Sequence, residues 1–365
     1  MIAVIADDFT GAAELAGISL RYGLKVSVCL HDEISTDADV LIISTDSRSF
    51  KKKEAIKVTA DAVKKVLQLK PDFIYKKIDS VLRGYVLDEL KVQMQFSGLN
   101  KVFILPANPS LGRTISNKEY FIEDKRINET GFIDDPEFPI KSSLITNILE
   151  DNLVNVLKHT DALPSGGIVV GEAKNENDIS EWANKLDNSW ILAGAGDFYT
   201  ALLSKRYKKQ TLHRFQLLLP HLYVCGTSFK ERKEFIKEID DELNCVSYMG
   251  GKADQAWINK TAGIIKKNSK GIIAIKQTAA SALALRTAMS KAVREILKKK
   301  TVREIFIEGG STAAAILQEL DIKKLSPVNE LQRGVVRMKV NDLFITVKPG
   351  SYQIPEQIRE LYLSK

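Results

Sequence analysis

Short apolar runs rich in β-branched residues alternate with stretches of helical periodicity along most of this chain, and no other feature constrains its fold as tightly. An apolar run without polar alternation has to be covered on both faces, which points to a parallel sheet flanked by helices. Residues 2–6, 25–30, 40–44, 73–78 and 102–106 read as strands, with helices such as 12–22 and 54–69 between them. Alternation continues at 167–171 and 190–195, then resumes after a basic, weakly patterned segment around 207–213 with strands near 222–225, 271–276, 305–308 and 343–347. A chain of 365 residues exceeds what one core usually serves, so two domains are expected, 1–213 and 214–365. The fold class is α/β, each domain a mostly parallel sheet covered by helices. Only from 117 to 143 does the pattern break, into a long irregular stretch with one hairpin. Loops of that length are usually functional or mobile.

In parallel sheets, chemistry gathers at the carboxyl ends of the strands. Four predicted strand ends in the first half carry polar clusters: "ADDFTG", "STDSR", "KKIDSVLRG" and "PANPSLGRT". They supply cations (Arg48, Lys77, Arg83, Arg113), hydroxyls (Thr10, Ser80) and carboxylates (Asp7, Asp8, Asp79). A small, anionic, hydroxylated substrate needs such a set, with guanidinium for its carboxylate and carboxylates to accept from its hydroxyls. The competing reading of each cluster is capping, with Asp79 or Ser80 opening the helix "VLRGYVLDEL" and Thr10 the helix after it. Four clusters at one sheet edge favour a site.

The second half carries three glycine turns after strands. "IEGGSTAAAIL" places Gly309, Gly310, Ser311 and Thr312 where a helix begins, so free N–H groups and the helix dipole would meet an anion such as phosphate. "VCGTSF", with Gly226, Thr227 and Ser228, repeats the logic, and "TVKPGSY" sets Lys348 beside Gly350. None is a Walker A loop, since the GK[ST] ending is missing. Each alone is ordinary punctuation. Three in one domain point to a nucleotide.

Other classes fall away. The net charge of +7 comes from short lysine runs without aromatic interleaving, which reads as a solvated face and not as a nucleic-acid groove. Three cysteines and four histidines, His31 and His213 among them, show no metal-ligand spacing. No apolar run approaches the roughly 18 residues of a membrane span, and the apolar start lacks a signal peptide's basic leader, so a cytoplasmic location is expected. "AGAGDFYTALL" resembles the anion hole of ribokinase-like enzymes, whose Asp is the catalytic base. That motif belongs late in such chains, whereas here a new domain follows, so Gly194 and Gly196 read as a tight turn.

Together these residues resemble the four-carbon acid sugar kinase family of threonate, erythronate and 3-oxo-tetronate kinases. Its blocks are similar, in order, to "IADDFTGA", "STDSR", "KKIDSVLRG", "PANPSLGRT" and "NETGFIDDPEFP", so the likeness spans nearly the whole chain. The resemblance implies a sugar-acid-binding N-terminal domain, an ATP-binding C-terminal domain and phosphoryl transfer to a C4 hydroxyl in the cleft between them. It places the ATP contacts on Thr227 or Ser228, on Gly309 to Thr312 and on Gly350. Members usually carry an acidic residue where this chain has Ser311, and a glycine and phenylalanine where it has Ser351 and Tyr352, so no metal ligand is assigned.

Phosphoryl transfer asks for positioning, for Mg²⁺ on the phosphates and for a carboxylate near the attacking hydroxyl. Arg48 and Arg83 with Ser80 are expected to hold the substrate, Asp8 or Asp79 to orient or deprotonate the hydroxyl, and Lys77 to offset charge. Of the paired aspartates, Asp8 is preferred to Asp7. Two rivals remain: a ribokinase-like kinase using Asp197, and an inactive sugar-acid or nucleotide sensor of the same fold. Expected partners are a sugar acid and ATP, with a homodimer left open, and neither nucleic acid nor membrane.

Overall fold

The computed structural model describes residues 1–30, 33–135, 137–211, 215–227, 229–276, 278–299, 302–350 and 352–363. Ser228 and Ser351, His31 and His213, and the expected boundary between 213 and 214 lie outside the described residues. The chain forms two compact units, Met1–Gln210 and Thr211–Lys365.

In chain order the first unit contains β1 (Ile2–Ala6), α1 (Phe9–Leu20), β2 (Val26–Leu30), β3 (Val40–Ser44), α2 (Lys52–Gln68), β4 (Phe73–Lys77), α3 (Val86–Ser97) and β5 (Lys101–Leu105). There follow β6 (Arg113–Ser116), β7 (Glu119–Ile122), β8 (Lys125–Arg126), α4 (Ile145–Ile148), β9 (Asn155–Leu157), β10 (Gly167–Gly171), α5 (Glu176–Lys185), β11 (Ile191–Gly194) and α6 (Gly196–Ser204). The main sheet runs β2-β3-β1-β4-β11-β5-β10-β9, every pairing parallel. β1 to β3 are buried along their whole length, which is why their sequences carry no polar alternation. Helix α1 is equally enclosed, and its alanines and glycines give it no polar face.

The irregular stretch holds more order than its sequence suggests. β6 and β7 form a hairpin whose two turn residues, Asn117 and Lys118, both have positive φ (51° and 66°), and β8 adds a third strand to this small sheet.

The second unit contains β12 (His221–Cys225), α7 (Lys230–Leu243), β13 (Val246–Met249), α8 (Gln255–Asn268), β14 (Lys270–Ile275), α9 (Ala282–Lys298), β15 (Glu304–Glu308), α10 (Gly310–Glu319), β16 (Lys324–Gln332), β17 (Val335–Val340), β18 (Leu343–Lys348) and α11 (Glu356–Leu363). Its strands run β13-β14-β12-β15-β18-β17-β16, parallel through β18 and antiparallel beyond it. The β16–β17 meander was not expected. Pro327 lies within β16, and a proline within a run argues against a strand unless it sits where no ladder donor is needed. Tyr223, Phe306, Ile272, Ile236 and Tyr362 centre this unit's core.

Candidate functional site

Register explains how scattered motifs meet. In the first unit Ala6 pairs with both Ser44 and Lys77, Lys77 with Gly194, and Gly194 with Leu105. The segments following β3, β1, β4, β11 and β5 therefore leave the sheet side by side at one edge, carrying the four expected clusters and, among them, Asp197.

At that edge Arg48 is the hub. One terminal nitrogen hydrogen-bonds the Asp8 carboxylate, and the other lies 3.1 Å from Asp79 and 3.6 Å from Asp7. Its aliphatic stem passes over Gly84, where φ is +94° and a Cβ would stand 3.4 Å from the Arg48 Cγ. Arg83 donates to Asp79 from Nε at 2.8 Å and from Nη2 at 3.1 Å, and to Asp135 from Nη1 at 2.9 Å. Through Asp135 the irregular stretch is tied to the cluster. Arg113 meets only a neutral partner, the Ser80 hydroxyl, among the described residues. Lys77 is buried, donating to the Ile78 carbonyl at 2.9 Å and lying 3.6 Å from Glu14. Beside the cluster, Arg83, Gly84, Tyr85, Phe138, Lys141 and others line a cavity of about 630 Å³.

Local structure decides the two competing capping readings. The N-cap of α1 is Asp8, not Thr10: Asp8 Oδ1 accepts from the Gly11 amide at 2.8 Å, while the Thr10 hydroxyl donates to Oδ2 at 2.5 Å. Neither Asp79 nor Ser80 caps a helix, because Leu82 (φ +65°) and Gly84 break the chain and α3 begins only at Val86. Asp79 instead accepts from its own turn, the Arg83 amide at 3.2 Å.

The paired aspartates differ in electrostatic character. Burial pushes the Asp7 carboxyl up to about 6, with Arg48 opposing and Asp8 reinforcing, and its Oδ1 is buried without a hydrogen-bond partner among the described residues. Asp8 suffers the same burial, but Arg48, Lys77 and the bonds from Thr10 and Gly11 outweigh it and hold its carboxyl below the usual range. Asp79 is held well below that range by Arg48 and Arg83 against its own burial.

Asp197 stands in the first turn of α6, where Ser110 donates to it from its amide at 3.0 Å and its hydroxyl at 2.8 Å. Gly194, expected in a tight turn, closes β11, and a side chain there would stand 2.9 Å from the Tyr75 hydroxyl. Gly196 opens α6.

In the second unit β15 lies between β12 and β18, with Cys225 paired to Glu308 and Glu308 to Lys348, so the three glycine turns emerge together. A Cβ on Gly226 would stand 2.7 Å from the Thr312 Cβ and 2.9 Å from the Glu308 carbonyl oxygen, and one on Gly350 would stand 3.4 Å from the Thr227 hydroxyl. Only glycine lets the backbone at 226 come so close, while the Gly350 contact is one that a side chain could make. Gly309, at φ +106°, caps α10 without a side chain, leaving the helix N-terminus open. These turns floor a cavity of about 530 Å³ lined by Gly226, Thr227, Gly309 to Thr312 and Gly350.

Lys348 requires a correction. Its side chain is wholly buried beneath the cavity, paired with Glu308 at 2.8 Å, and it donates to the carbonyls of Pro349 at 2.7 Å and Tyr352 at 2.5 Å. It shapes the turn and does not line the cavity. Conversely, Lys233, Lys276 and Arg286 do line it, and none was singled out in the sequence. The one available signal was Arg286 interrupting the apolar stripe Ala282, Leu285, Met289 along α9.

Among the described residues no three histidine, cysteine or acidic side chains group as metal ligands, and no helix is long and apolar enough to cross a membrane. Residues 2–202 match the model of a sugar-binding N-terminal domain, and residues 233–352 that of a nucleotide-binding C-terminal domain. D-threonate kinase of Salmonella typhimurium is 23% identical over 96% of this chain and 94% of its own length. 3-oxo-tetronate kinase of Brucella melitensis is 32% identical over 41% of this chain and 36% of its own. Among solved structures, a Haemophilus influenzae protein of the family designated DUF1537 shares the fold, with a TM-score of 0.78 at 18% identity, covering 97% of this chain and 98% of that one.

Proposed function

The chain belongs to the four-carbon acid sugar kinase family, and on that premise we propose that it transfers the terminal phosphate of ATP to the C4 hydroxyl of a four-carbon sugar acid. The observation that carries this reading is the similarity to D-threonate kinase along nearly the full length of both chains.

The polar edge of the first unit takes the sugar acid. Arg113, whose charge is met among the described residues only by a hydroxyl, receives the substrate carboxylate with Ser80 beside it. Arg48 and Arg83 hold Asp8, Asp79 and Asp135 ionised and oriented, so the substrate's hydroxyls find acceptors already in place. Lys77 supports Asp8 from behind. Asp8 orients the attacking hydroxyl, since a carboxylate with a lowered pKa is a weak base. We assign proton acceptance to Asp7, the reverse of the sequence-based preference, because a carboxyl near 6 is the better match to a proton acceptor at neutral pH.

The glycine turns of the second unit fit ATP: three turns lining one cavity and an open helix N-terminus suit phosphate oxygens. Mg²⁺ bound with the nucleotide neutralises charge on the phosphates, and here Thr227, Ser311 and Thr312 would offer it hydroxyl oxygens.

The test is a screen of D-threonate, D-erythronate, their L-isomers and 3-oxo-tetronate with ATP, reading ADP release and the mass of the phosphorylated acid. One acid gaining a phosphate supports the reading. Binding without product overturns it in favour of a sensor.

A further inference from the structure

We infer that Arg286 grips the phosphate chain of the nucleotide, an inference that rests on the nucleotide reading of the second unit. Helix α9 turns Ala282, Leu285 and Met289 toward the 530 Å³ cavity, and Arg286 lies in the middle of that apolar stripe. Its Nε is buried without a hydrogen-bond partner, and no ion pair to the side chain exists among the described residues. Arg286 as a whole is only partly buried, whereas the buried cations of this unit are all paired: Arg232 and Lys348 with Glu308, and Arg337 with Glu304. A buried guanidinium N–H left without an acceptor is costly unless a ligand supplies one, and here that donor is Nε.

The cavity identifies that ligand's charge. Its charged lining is Lys233, Lys276 and Arg286, with no carboxylate among the described lining residues. Three cations around an open helix N-terminus call for an anion carrying several charges. A planar fork of donors suits adjacent phosphate oxygens better than a point charge does.

ATP affinity of the full chain, measured by titration calorimetry for wild type, Arg286→Gln and Arg286→Lys, tests the inference, together with the melting temperature of each without ligand. The expected result is a roughly ten- to hundredfold loss of affinity in Arg286→Gln and partial recovery in Arg286→Lys. The unliganded melting temperature should be unchanged or raised, since among the described residues Nε has no hydrogen-bond partner to lose. Wild type and Arg286→Gln binding ATP equally well would overturn this inference alone. So would an unliganded Arg286→Gln that melts lower in step with its loss of affinity, since that marks a structural role. Wild type binding no ATP would overturn the nucleotide reading, and this inference with it.

Discussion

Glu308 and Lys348 meet at 2.8 Å with neither side chain exposed, side by side at the ends of adjacent parallel strands. Arg232 reaches the same carboxylate at 2.8 Å and the Tyr223 hydroxyl bonds it as well. Lys348 and Arg232 also donate to the Tyr352 carbonyl, so this buried network anchors Tyr352, two residues beyond Gly350. Gly350, which lines the cavity, is held in place by a charge cluster that does not line it.

Removing the shared anion strands two buried cations. Glu308→Ala is expected to lower the stability of the second unit by about 3–5 kcal/mol, the usual cost of breaking a buried pair from one side. Urea unfolding followed by the fluorescence of Trp257 would read it. A loss under about 1 kcal/mol would mean that water replaces the carboxylate.

Arg48→Met should show the matching effect in the first unit, with a pH signature. Asp8 and Asp79 are held below the ordinary carboxylate range in the folded chain, so their pairing contributes stability above about pH 4 and loses it as pH falls further. The variant is expected to be about 3 kcal/mol less stable than wild type at pH 8, with the gap shrinking toward pH 3 as the carboxylates protonate. A gap that acid leaves unchanged would assign the loss to the packing of the Arg48 stem on Gly84.

The parts of the site legible in the sequence were those where residue type and backbone are inseparable. Gly226 marks a close approach and Gly309 a positive φ that other residues resist, and strand ends place their clusters at one edge once the sheet is parallel. What stayed hidden was direction. Lys348 reads the same whether its amine enters a cavity or turns beneath it, and "SALALRTAMS" reads as an ordinary helix until Arg286 is seen facing inward. Thr10 and Asp8 are equally good caps on paper, and the positive φ of Leu82 leaves no trace in a periodicity.

Asp197 gives a test of the rival kinase chemistry. Its carboxylate holds the amide and hydroxyl of Ser110, anchoring the loop that carries Arg113. Asp197→Ala should therefore raise KM for the sugar acid by roughly fivefold, about one hydrogen bond's worth, with kcat little changed. A collapse of kcat with KM intact would return the base to Asp197.

Asp7 and Asp8 separate by pH. With Asp7 as proton acceptor, kcat/KM for the sugar acid should rise through about pH 6 in wild type. Asp7→Asn should abolish that limb and lower turnover by roughly a hundredfold or more. An acid limb at or below pH 4 would reassign the role to Asp8 or Asp79, both ionised there already. Stability offers an independent check with the opposite sign to Arg48→Met. The folded pKa of Asp7 is raised from 3.8 to about 6, so its contribution is present below about pH 4 and lost as pH rises through 6. Above that window wild type buries an ionised carboxylate that Asp7→Asn does not, and the variant should gain stability over wild type between pH 4 and pH 7. A variant that loses stability over that interval would show the Arg48 contact with Asp7 to outweigh the cost of its burial.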